Sequence, residues 1–408
     1  MKEMQRVFEQ IEAGRPEMIE LQKLLSSIPA IAPESDGDGE SEKAESLVAW
    51  LRKIGLSDIE VVDAPDDRVT SGKRPNIIVT IPGHDAGRCF WIMTHLDVVP
   101  PGEESLWDTS PYEVVQKDGC LIGRGVEDNQ QSMVASIYSA ASILESGQKP
   151  AVTVRLLFVA DEEVGSEKGI KYLLAHQNPF KKGDLILVPD MGNPRGSVIE
   201  IAEKNILWLK FETSGKQCHA STPQKGINAF VAGSELVLKI NSLNQEYSQR
   251  NVLFDPPVST FSPTKKENNI PNINTIPAED VFYVDCRILP VIKTDEVLER
   301  IDGFIEEIRQ RCSVTIKYSV KNCSESPPTP EETPLVPILK QAIKEVSGTG
   351  ANVIGIGGGT VAAYLRGAGY DTVVWSTVAE TAHMPNEYCV IDYMVGDAKI
   401  MAHVMMNA

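Results

Sequence analysis

The sequence contains no Cys-x-x-Cys pair, and its cysteines are few and scattered along the chain. There are seven of them, an odd number, so neither a disulfide framework nor a zinc site built from thiolates is favoured. Scattered cysteines of this kind are typical of small buried side chains in a reducing compartment. We therefore expect a reducing environment and no structural disulfide.

Long apolar runs are absent as well. No segment approaches the ~20 consecutive apolar residues that a membrane-spanning helix needs. The N-terminal segment MKEMQRVFEQIEAGRPEMIELQKLL has the pattern of a charged amphipathic helix and lacks the apolar segment of a signal peptide. We therefore predict a cytoplasmic protein with no membrane partner.

Basic residues are in the minority, because 39 Lys and Arg stand against 57 Asp and Glu and give a formal net charge of -18. Binding to nucleic acid needs clustered cations, so it is not expected. The glycine-rich run 355–359 is not followed by Lys-Ser/Thr, and no Gly-x-Gly-x-x-Gly opens a helix after the first strand. Nucleotide binding and phosphoryl transfer are therefore disfavoured.

The chain of 408 residues exceeds the usual size of a single hydrophobic core, which favours two domains. In its first half, short apolar runs alternate with helical patterns, as in an α/β domain with a largely parallel sheet. The predicted strands are 76–81, 89–93, 152–160 and 185–188, and the predicted helices are 41–54, 130–145 and 167–176.

The pattern changes after Glu203, where strands and helices alternate in the manner of a small two-layer α+β unit. The elements predicted there are 206–213, 228–240, 281–287, 294–311 and 314–320. A Ser/Pro-rich stretch, 323–334, has the composition of a linker, and the α/β pattern returns beyond it. We predict a main α/β domain of residues 1–204 and 324–408, interrupted by an inserted domain of residues 205–323.

Histidines and acidic residues gather where apolar strands end. In an open α/β sheet, ligands bind beyond the carboxyl ends of the strands, so these side chains should meet at one edge. With the run that precedes each, they are His95 after CFWIM, Glu162 and Glu163 after TVRLLFVA, Asp190 after LILVP, and His383 shortly after TVVWST. Asp128 joins them from a loop that leads into a predicted helix.

Such a cluster needs a counter-charge, because several carboxylates in one cleft would repel one another and take up protons. Divalent metal ions supply that charge. Asp128, Glu163 and Asp190 carry three negative charges and two divalent cations carry four positive ones, so a bridging hydroxide would complete the balance. A water molecule whose pKa is lowered in this way is a common nucleophile of hydrolases, so the charges predict a two-metal hydrolytic site.

These segments resemble the M20 family of metallohydrolases, which includes succinyl-diaminopimelate desuccinylase, acetylornithine deacetylase and dinuclear dipeptidases. The resemblance covers essentially the whole chain in order, and it implies a metallopeptidase-type catalytic domain interrupted by a lid domain that also dimerises. The segments that carry it are His95-x-Asp97, Gly123-Arg124-Gly125 with Asp128, Asp161-Glu162-Glu163-x-Gly165, Pro189-Asp190 and His383-x-Pro385-Asn386-Glu387.

The resemblance implies a role for each metal ligand. His95 and Asp190 would bind one ion, Glu163 and His383 would bind the other, and Asp128 would bridge the two. Zinc is the ion that the family implies, although mixed imidazole and carboxylate ligands also accept cobalt or manganese.

Two further carboxylates have implied roles beside the metal ions. Asp97 would orient His95 from behind, as metal-bound imidazoles usually require. Glu162 would be the general base, which takes a proton from the bridging water and passes it to the leaving nitrogen.

The inserted domain carries positions that resemble the family's lid. His219 would donate to the oxyanion of the tetrahedral intermediate, a contribution of about 3 kcal/mol in comparable sites. In the family this histidine serves the other subunit, which implies a homodimer formed through the lid domain. The positions that would bind the substrate's carboxylate are Asn274, Arg287 and the loop of Gly358, Gly359 and Thr360.

Alternatives stay open at two of these positions. His219 could simply be exposed in a loop, and Arg287 could pair with Asp285 or Glu279. The chain also departs from the family pattern. Asn129 stands where many members have a second Asp, often after a cis peptide, and Asp190 stands where some peptidases have Glu.

The function that we predict is hydrolysis of the amide bond of a small N-acyl amino acid with a free carboxylate, with desuccinylation or deacylation as the leading form. Cleavage of dipeptides is the alternative, which the run Gly-Gly-Gly-Thr-x-Ala at 357–362 also resembles. A hypothesis of another class is a catalytically silent metal-binding protein. Retention of Glu162 favours the enzyme, since a binding protein has no use for a base beside a complete ligand set.

Overall fold

The computed structural model describes residues 2–408, which fold into two compact units. The first unit contains the chain up to Ile201 together with Thr329–Val353 and Thr360–Ala408, and the second contains Ala202–Pro328 with Ile354–Gly359. The range 205–323 lies inside the second unit. The glycine-bearing segment Ile354–Gly359, which the sequence pattern assigned to the main domain, belongs to the second unit as well.

The elements that follow are numbered in chain order. The α-helices are α1 (Lys2–Ala13), α2 (Arg15–Ser26), α3 (Ser41–Lys53), α4 (Gln130–Glu145), α5 (Ile170–His176), α6 (Ala229–Glu246), α7 (Thr294–Cys312), α8 (Leu335–Ser347), α9 (Ala362–Gly367) and α10 (Ile391–Asn407). The strands are β1 (Ile59–Pro65), β2 (Lys73–Ile81), β3 (Asp85–His95), β4 (Val115–Lys117), β5 (Cys120–Ile122), β6 (Val152–Val159), β7 (Leu185–Gly192), β8 (Val198–Glu203), β9 (Asn205–Ser214), β10 (Cys218–His219), β11 (Thr260–Lys266), β12 (Thr275–Ile276), β13 (Glu279–Ile288), β14 (Thr315–Ser324), β15 (Asn352–Ile356), β16 (Thr372–Ser376) and β17 (Tyr388–Val390).

The main sheet has eight strands in the order β1-β2-β6-β3-β7-β16-β8-β15. Its central strands β6, β3, β7 and β16 run parallel, whereas β1 and β2 pair antiparallel at one side. The parallel strands are apolar without alternation because helices cover both of their faces, and Phe90–Met93 of β3 are 0% exposed. The predicted α/β fold with a largely parallel sheet is confirmed.

Helix α4 is the most enclosed helix of the first unit, since every residue from Gln130 to Ile143 is buried. Small side chains such as Ala135, Ser139 and Ala140 allow this close packing, and the hydroxyl of Ser139 donates to the carbonyl of Ala398 on α10 at 2.7 Å. The helix begins two residues after Asp128, so it anchors the loop that carries this residue.

The second unit is a four-stranded antiparallel sheet in the order β11-β13-β9-β14, with α6 and α7 packed on one face. Residues of β9 and β13 alternate between buried and less buried positions, as expected for strands with one face on a core. The core contains Phe211, Phe282, Leu236 and Ile301. This is the two-layer α+β arrangement that the sequence predicts.

Two local predictions are corrected. The N-terminal helical segment is divided at Gly14, after which Pro16 lies in the first turn of α2, a position that needs no backbone N–H. Helix α5 begins at Ile170 rather than 167, because Gly169, with φ -96° and ψ -120°, lies outside the helical region. Among residues 2–408, no helix combines the length and apolar character needed to cross a bilayer.

Candidate metal centre

The predicted ligands lie where the parallel strands of the first unit end. His95 is the last residue of β3, Glu162 and Glu163 follow β6, and Asp190 lies in the second half of β7. His383 follows β16 in a loop. Because these four strands are parallel neighbours, their carboxyl ends meet at one edge of the sheet, which brings residues far apart in the chain together.

Asp128 lies between the two histidines. Its Oδ1 is 3.0 Å from Nε2 of His95, and its Oδ2 is 3.1 Å from Nε2 of His383. Oδ1 of Asp190 is 3.5 Å from Nε2 of His95, and Oε2 of Glu163 is 3.2 Å from Nε2 of His383. Each imidazole therefore has a carboxylate of its own, and Asp128 faces both.

The donor groups fit divalent cations. Ligand atoms of His95, Asp128 and Asp190 lie within 4.8 Å of one another, and so do those of Asp128, Glu163 and His383. Within the described residues, Oε1 of Glu163 is buried without a hydrogen-bond partner, which is costly for a carboxylate unless a cation faces it. Imidazole with carboxylate is a donor set for zinc, cobalt or manganese.

The carboxylates create a field that favours positive charge. Hydrogen bonds with Asp128 and Glu163 raise the pKa of His383 to about 10. Burial alone lowers the pKa of His95, but its contacts with Asp128 and Asp190 outweigh burial and raise that pKa well above the usual range. Divalent cations would meet the same field while leaving both imidazoles neutral, as metal ligands must be.

Asp97 differs in part from its predicted role. Nδ1 of His95 lies 3.0 Å from the main-chain carbonyl of Asp97 and 3.6 Å from its carboxylate, so the carbonyl is the nearer partner. The carboxylate itself accepts the backbone N–H groups of Glu162 and Glu163 at 3.1 and 3.0 Å. Asp97 therefore holds the segment after β6 in place as well as the ring of His95.

Glu162 lies beside the ligand set, because one carboxylate oxygen is within 4.8 Å of ligand atoms of His95 and Glu163. Burial, together with the nearby charge of Asp190, raises the pKa of Glu162 well above its usual range. A carboxylate whose pKa is raised in this way binds a proton more readily than an ordinary one, as a general base must.

Asn129 contacts one of the predicted ligands. The Asp128–Asn129 peptide is cis, and Nδ2 of Asn129 donates to the carbonyl of Pro189 at 3.0 Å and to Oδ1 of Asp190. An amide at this position can donate a hydrogen bond, which an ionised Asp cannot. The departure from the family pattern therefore gives Asp190 a partner that fixes its orientation.

Two buried glutamates to which we assigned no role in the sequence also belong to this site. The carboxylate of Glu387 accepts backbone N–H groups from the loop before α4, and the carboxylate of Glu127 accepts those of residues 379–381. Both residues lie inside the motifs quoted above. Their contacts join segments that are far apart in the chain, which a motif alone does not reveal.

His219 and Asn274 lie next to each other in the second unit. Strands β10 and β12 pair, and the backbone N–H of Ala220 donates to the carbonyl of Asn274 at 2.8 Å. The ring of His219 is exposed, and its Nδ1 accepts the backbone N–H of Ser221 at 3.1 Å.

Arg287 and the glycine run also meet in the second unit. Nη1 of Arg287 donates to the carbonyl of Gly357 at 2.8 Å, and Nε and Nη2 donate to the carboxylate of Asp285 at 2.7 and 3.1 Å. Of the two ion pairs considered for this arginine, the one with Asp285 is formed. Gly358 and Gly359 follow as exposed residues, and Thr360 begins the next segment of the first unit.

A cavity of about 310 Å³ adjoins Asp128 and Asp190 in the first unit. Met191, Val378 and Ala382 give it apolar walls, and Glu380 adds a further carboxylate to its lining. Among the described residues that line it there is no Lys, Arg or His. The space beside these two ligands is therefore suited to neutral or positively charged groups.

Comparisons with known proteins identify hydrolases that are similar to this chain over most of its length. An uncharacterized metallohydrolase of Methanocaldococcus jannaschii is 40% identical over 407 residues, with 95% of this chain and 98% of the relative covered. A succinyl-diaminopimelate desuccinylase of Nitratiruptor sp. is 23% identical, with 91% and 94% covered. The solved structure of a di-peptidase from Saccharomyces cerevisiae superimposes with a TM-score of 0.75 at 17% identity, with 100% of this chain and 98% of that chain covered.

The family model covers most of the sequence. Residues 91–407 match the model of peptidase family M20/M25/M40, which includes all the strand-end ligands and the whole second unit. The family predicted from the motifs is thereby confirmed, together with a hydrolase of the metal-dependent peptidase type. The chain belongs to peptidase family M20/M25/M40.

Proposed function

We propose that this protein hydrolyses the amide bond of a small N-acyl amino acid or dipeptide at a centre of two divalent ions, zinc by preference. His95 and Asp190 would hold one ion, here called the His95 position, and Glu163 and His383 the other, the His383 position. Asp128 would serve both. The observation that carries the proposal is that the two oxygens of Asp128 face different imidazoles, at 3.0 and 3.1 Å.

The chain's own residues account for the proton transfers. Bound divalent ions would polarise the scissile carbonyl and lower the pKa of water. Glu162 accepts one proton from the water that adds to the carbonyl carbon, and it delivers that proton to the nitrogen as the C–N bond breaks. The second proton of the water passes from the new carboxylic acid to the amine, so the products are a carboxylate and an ammonium group, and Glu162 is left ionised for the next cycle.

The Glu162→Gln variant tests this assignment. It should retain both metal ions per chain while turnover falls by a factor of about 1,000 or more, because the base is lost and the ligands are not. Glu163→Gln should instead lose metal, and Glu167→Gln, an exposed neighbour on the same loop, should change neither. Turnover by Glu162→Gln at the wild-type rate with full metal content would refute the base, and a wild type that binds no metal would refute the proposal as a whole.

The charge of the cavity favours peptides over succinylated substrates. A succinyl group carries a distal carboxylate, and near Asp128, Asp190 and Glu380 no cation lines the cavity among the described residues to receive it. With Asp128 and Asp190 assigned to the metal ions, Glu380 remains in the lining as a carboxylate that would attract the ammonium group of a dipeptide. Paired assays with aminoacyl, acetyl and succinyl derivatives of one amine should show the highest kcat/KM for the aminoacyl form, and a preference for the succinyl form would reverse this choice.

We further propose that residues 205–323 form a lid through which two cytoplasmic chains dimerise, and that His219 acts in the partner's site. Seven unpaired cysteines support a reducing location. Mixing inactive His219→Ala and Glu162→Gln chains tests the exchange. Random heterodimers would contain one complete site, so about a quarter of wild-type activity should return. No recovery, with heterodimers present, would mean that His219 acts in its own chain, and a fully active His219→Ala protein would mean that it does not act at all.

The substrate's carboxylate is assigned to Asn274, Arg287 and the loop of Gly358, Gly359 and Thr360. The contact of Arg287 with the carbonyl of Gly357 supports this grouping, because it brings the guanidinium beside the loop. A bidentate guanidinium suits a carboxylate ligand. Substrates whose carboxylate is amidated should therefore lose affinity, and equal KM values for acid and amide would contradict the assignment.

A further inference from the structure

We propose that Glu127 and Glu387 are positioning residues that couple the two halves of the metal centre. Glu127 holds the loop that carries His383, and Glu387 holds the loop that carries Asp128. Glu127 directly precedes Asp128 in the chain, and Glu387 follows His383 by four residues. The proposal rests on the metal-binding function proposed above. It gives both buried glutamates the same role, which is to position the loops that carry proposed metal ligands.

Glu127 holds the loop that leads to His383. The side chain is buried, with 4% of its surface exposed, and its carboxylate accepts all three backbone N–H groups of residues 379–381. It also accepts the hydroxyl of Thr381 at 2.6 Å. Thr381 lies two residues before His383, so these four hydrogen bonds define where the histidine leaves the loop.

Glu387 holds the loop that leads to Asp128. It is fully buried, and its carboxylate accepts the backbone N–H groups of Gly125, Glu127 and Asp128 at 2.9 to 3.0 Å. Nη1 of Arg124 adds an ion pair at 2.6 Å. The backbone N–H of Asp128 is itself among the donors, so the contact acts directly on the residue that faces both histidines.

The two sets of contacts cross. The acid beside Asp128 in sequence fixes the loop of His383, and the acid beside His383 fixes the loop of Asp128. The backbone N–H of Glu127 is moreover bonded to Glu387 at 2.9 Å, which makes the sets continuous. Each buried carboxylate accepts several hydrogen bonds from the opposite loop, so a shift of one loop displaces the other.

The loop of His383 needs such support because of its backbone. Glu380, His383 and Asn386 have φ angles of 65°, 65° and 57°, in the left-handed region that disfavours residues with a Cβ atom. Residues persist in this conformation only where their surroundings hold them. Glu127 accepts the N–H of Glu380 and thereby supplies part of that restraint.

Because Glu127 and Glu387 hold different loops, replacing one or the other should have unequal effects on metal affinity at the two positions. Loss of the Glu127 contacts should loosen His383 and weaken the His383 position, while the His95 position keeps its ligands. Loss of the Glu387 contacts should loosen Asp128, which serves both, and weaken both positions. Residues that support metal ligands in this way typically change affinity by about 10- to 100-fold.

The experiment is a zinc titration of metal-free full-length protein, with competition by a chromophoric chelator to resolve two dissociation constants. Glu127→Gln should raise the constant of one position by about 10- to 100-fold and leave the other unchanged, and Glu387→Gln should raise both. The double variant should show less than the sum of the two effects, since the contacts are continuous. Unchanged constants in both single variants would overturn the proposal.

Controls separate positioning from general destabilisation. Asp184→Asn removes a buried carboxylate that likewise accepts three N–H groups, including Nε1 of Trp91, but it lies away from the carboxyl ends of the strands. This variant should lower thermal stability and leave both zinc constants unchanged. If it weakened zinc as much as Glu127→Gln does, the effect would be one of stability, and the proposal would fail.

A milder variant keeps the test decisive if Glu127→Gln does not fold. Thr381→Val removes the hydroxyl, which donates to Glu127 and also contacts the backbone of Tyr388, but keeps the backbone N–H groups that Glu127 accepts, and it should raise the constant of the His383 position by about tenfold. No change in a folded Thr381→Val would count against the proposal. A wild type that binds no zinc would refute the proposed function instead, whereas two wild-type sites with unaltered variants would refute the coupling alone.

Discussion

The two units hold their candidate functional residues in contrasting ways. In the first unit, His95 is 2% exposed, and His383, although exposed, lies on a loop whose backbone N–H groups are bound by the buried carboxylate of Glu127. In the second unit, His219 and Asn274 are exposed and lie on or beside strands of two residues, next to a fully exposed Ile273. The contrast indicates that the proposed metal centre is organised before substrate arrives, whereas the proposed substrate contacts lie on segments of low local stability.

The largest effect should follow from replacing the residue that faces both histidines. Asp128→Asn should lose metal from both positions and reduce kcat/KM by about 10,000-fold, because members of one catalytic unit fail together. Metal content and steady-state kinetics measure both outcomes. Asp58→Asn, an exposed change of the same kind, is the control. A fully metallated Asp128→Asn enzyme with wild-type turnover would contradict the proposal that the first unit holds a metal centre organised around Asp128.

A smaller effect is expected for the exposed histidine. His219→Asn should lower kcat by about 100- to 1,000-fold, as for other residues that donate to an oxyanion, and should leave the metal content unchanged. His84→Asn, at another exposed histidine, should have no effect. If kcat stayed at the wild-type value, His219 would be only a surface residue, and the second unit would contribute no residue to the chemical step through it.

The next prediction concerns Arg287 and its proposed binding of the substrate's carboxylate, with no effect on the chemical step. Arg287→Lys should raise KM by about tenfold with little change in kcat, because an ammonium group cannot replace the planar fork of a guanidinium. Arg300→Lys, whose partner is Glu246 on the surface of the same unit, is the matched control. A change confined to kcat would show that Arg287 does not act through ground-state binding of the substrate.

The smallest effect on turnover is expected at Asp397, a buried residue of the first unit. Its replacement should change the free energy of unfolding of this unit and not its activity. Burial raises the pKa of Asp397 from an ordinary value of 3.8 to about 7. The folded state therefore binds this proton more tightly than the unfolded state. The resulting stabilisation is fully present below about pH 4 and is lost as the pH rises through about 7.

Asp397→Asn should remove this pH dependence and spare turnover. Well above pH 7 the variant should be more stable than the wild type by on the order of 4 kcal/mol, whereas at about pH 4 the two should be alike. Denaturant unfolding at both pH values provides the measurement. Parallel pH profiles for the two proteins would show that Asp397 titrates normally.

Sequence alone was sufficient for the parts of the fold that depend on local pattern. Unbroken apolar runs predicted the parallel strands, and the position of His95, Glu163 and Asp190 directly after such runs predicted where they would meet. The bounds of α4 were predicted without error, because its apolar and small residues continue to Glu145. These features need no knowledge of distant partners.

What sequence could not provide are contacts between distant segments. Glu127 and Thr381 are separated by 254 positions, and only the folded chain shows that they meet. The contact of Arg287 with the carbonyl of Gly357, 70 positions away, likewise appears only in the folded chain. Motifs identified the ligands, whereas the residues that hold the ligands came from the structure.

The enclosure of α4 has a consequence for how the protein opens. Amide protons of this helix should be among the slowest in the molecule to exchange with deuterium, since no residue from Gln130 to Ile143 reaches solvent. Asp128 and Asn129 precede it directly, so a breathing motion at the surface would leave their backbone undisturbed. A protease that nicks the chain near His219 would cut between Asp190 and His383, so the two resulting pieces of the first unit would have to stay associated for the proposed metal centre to survive.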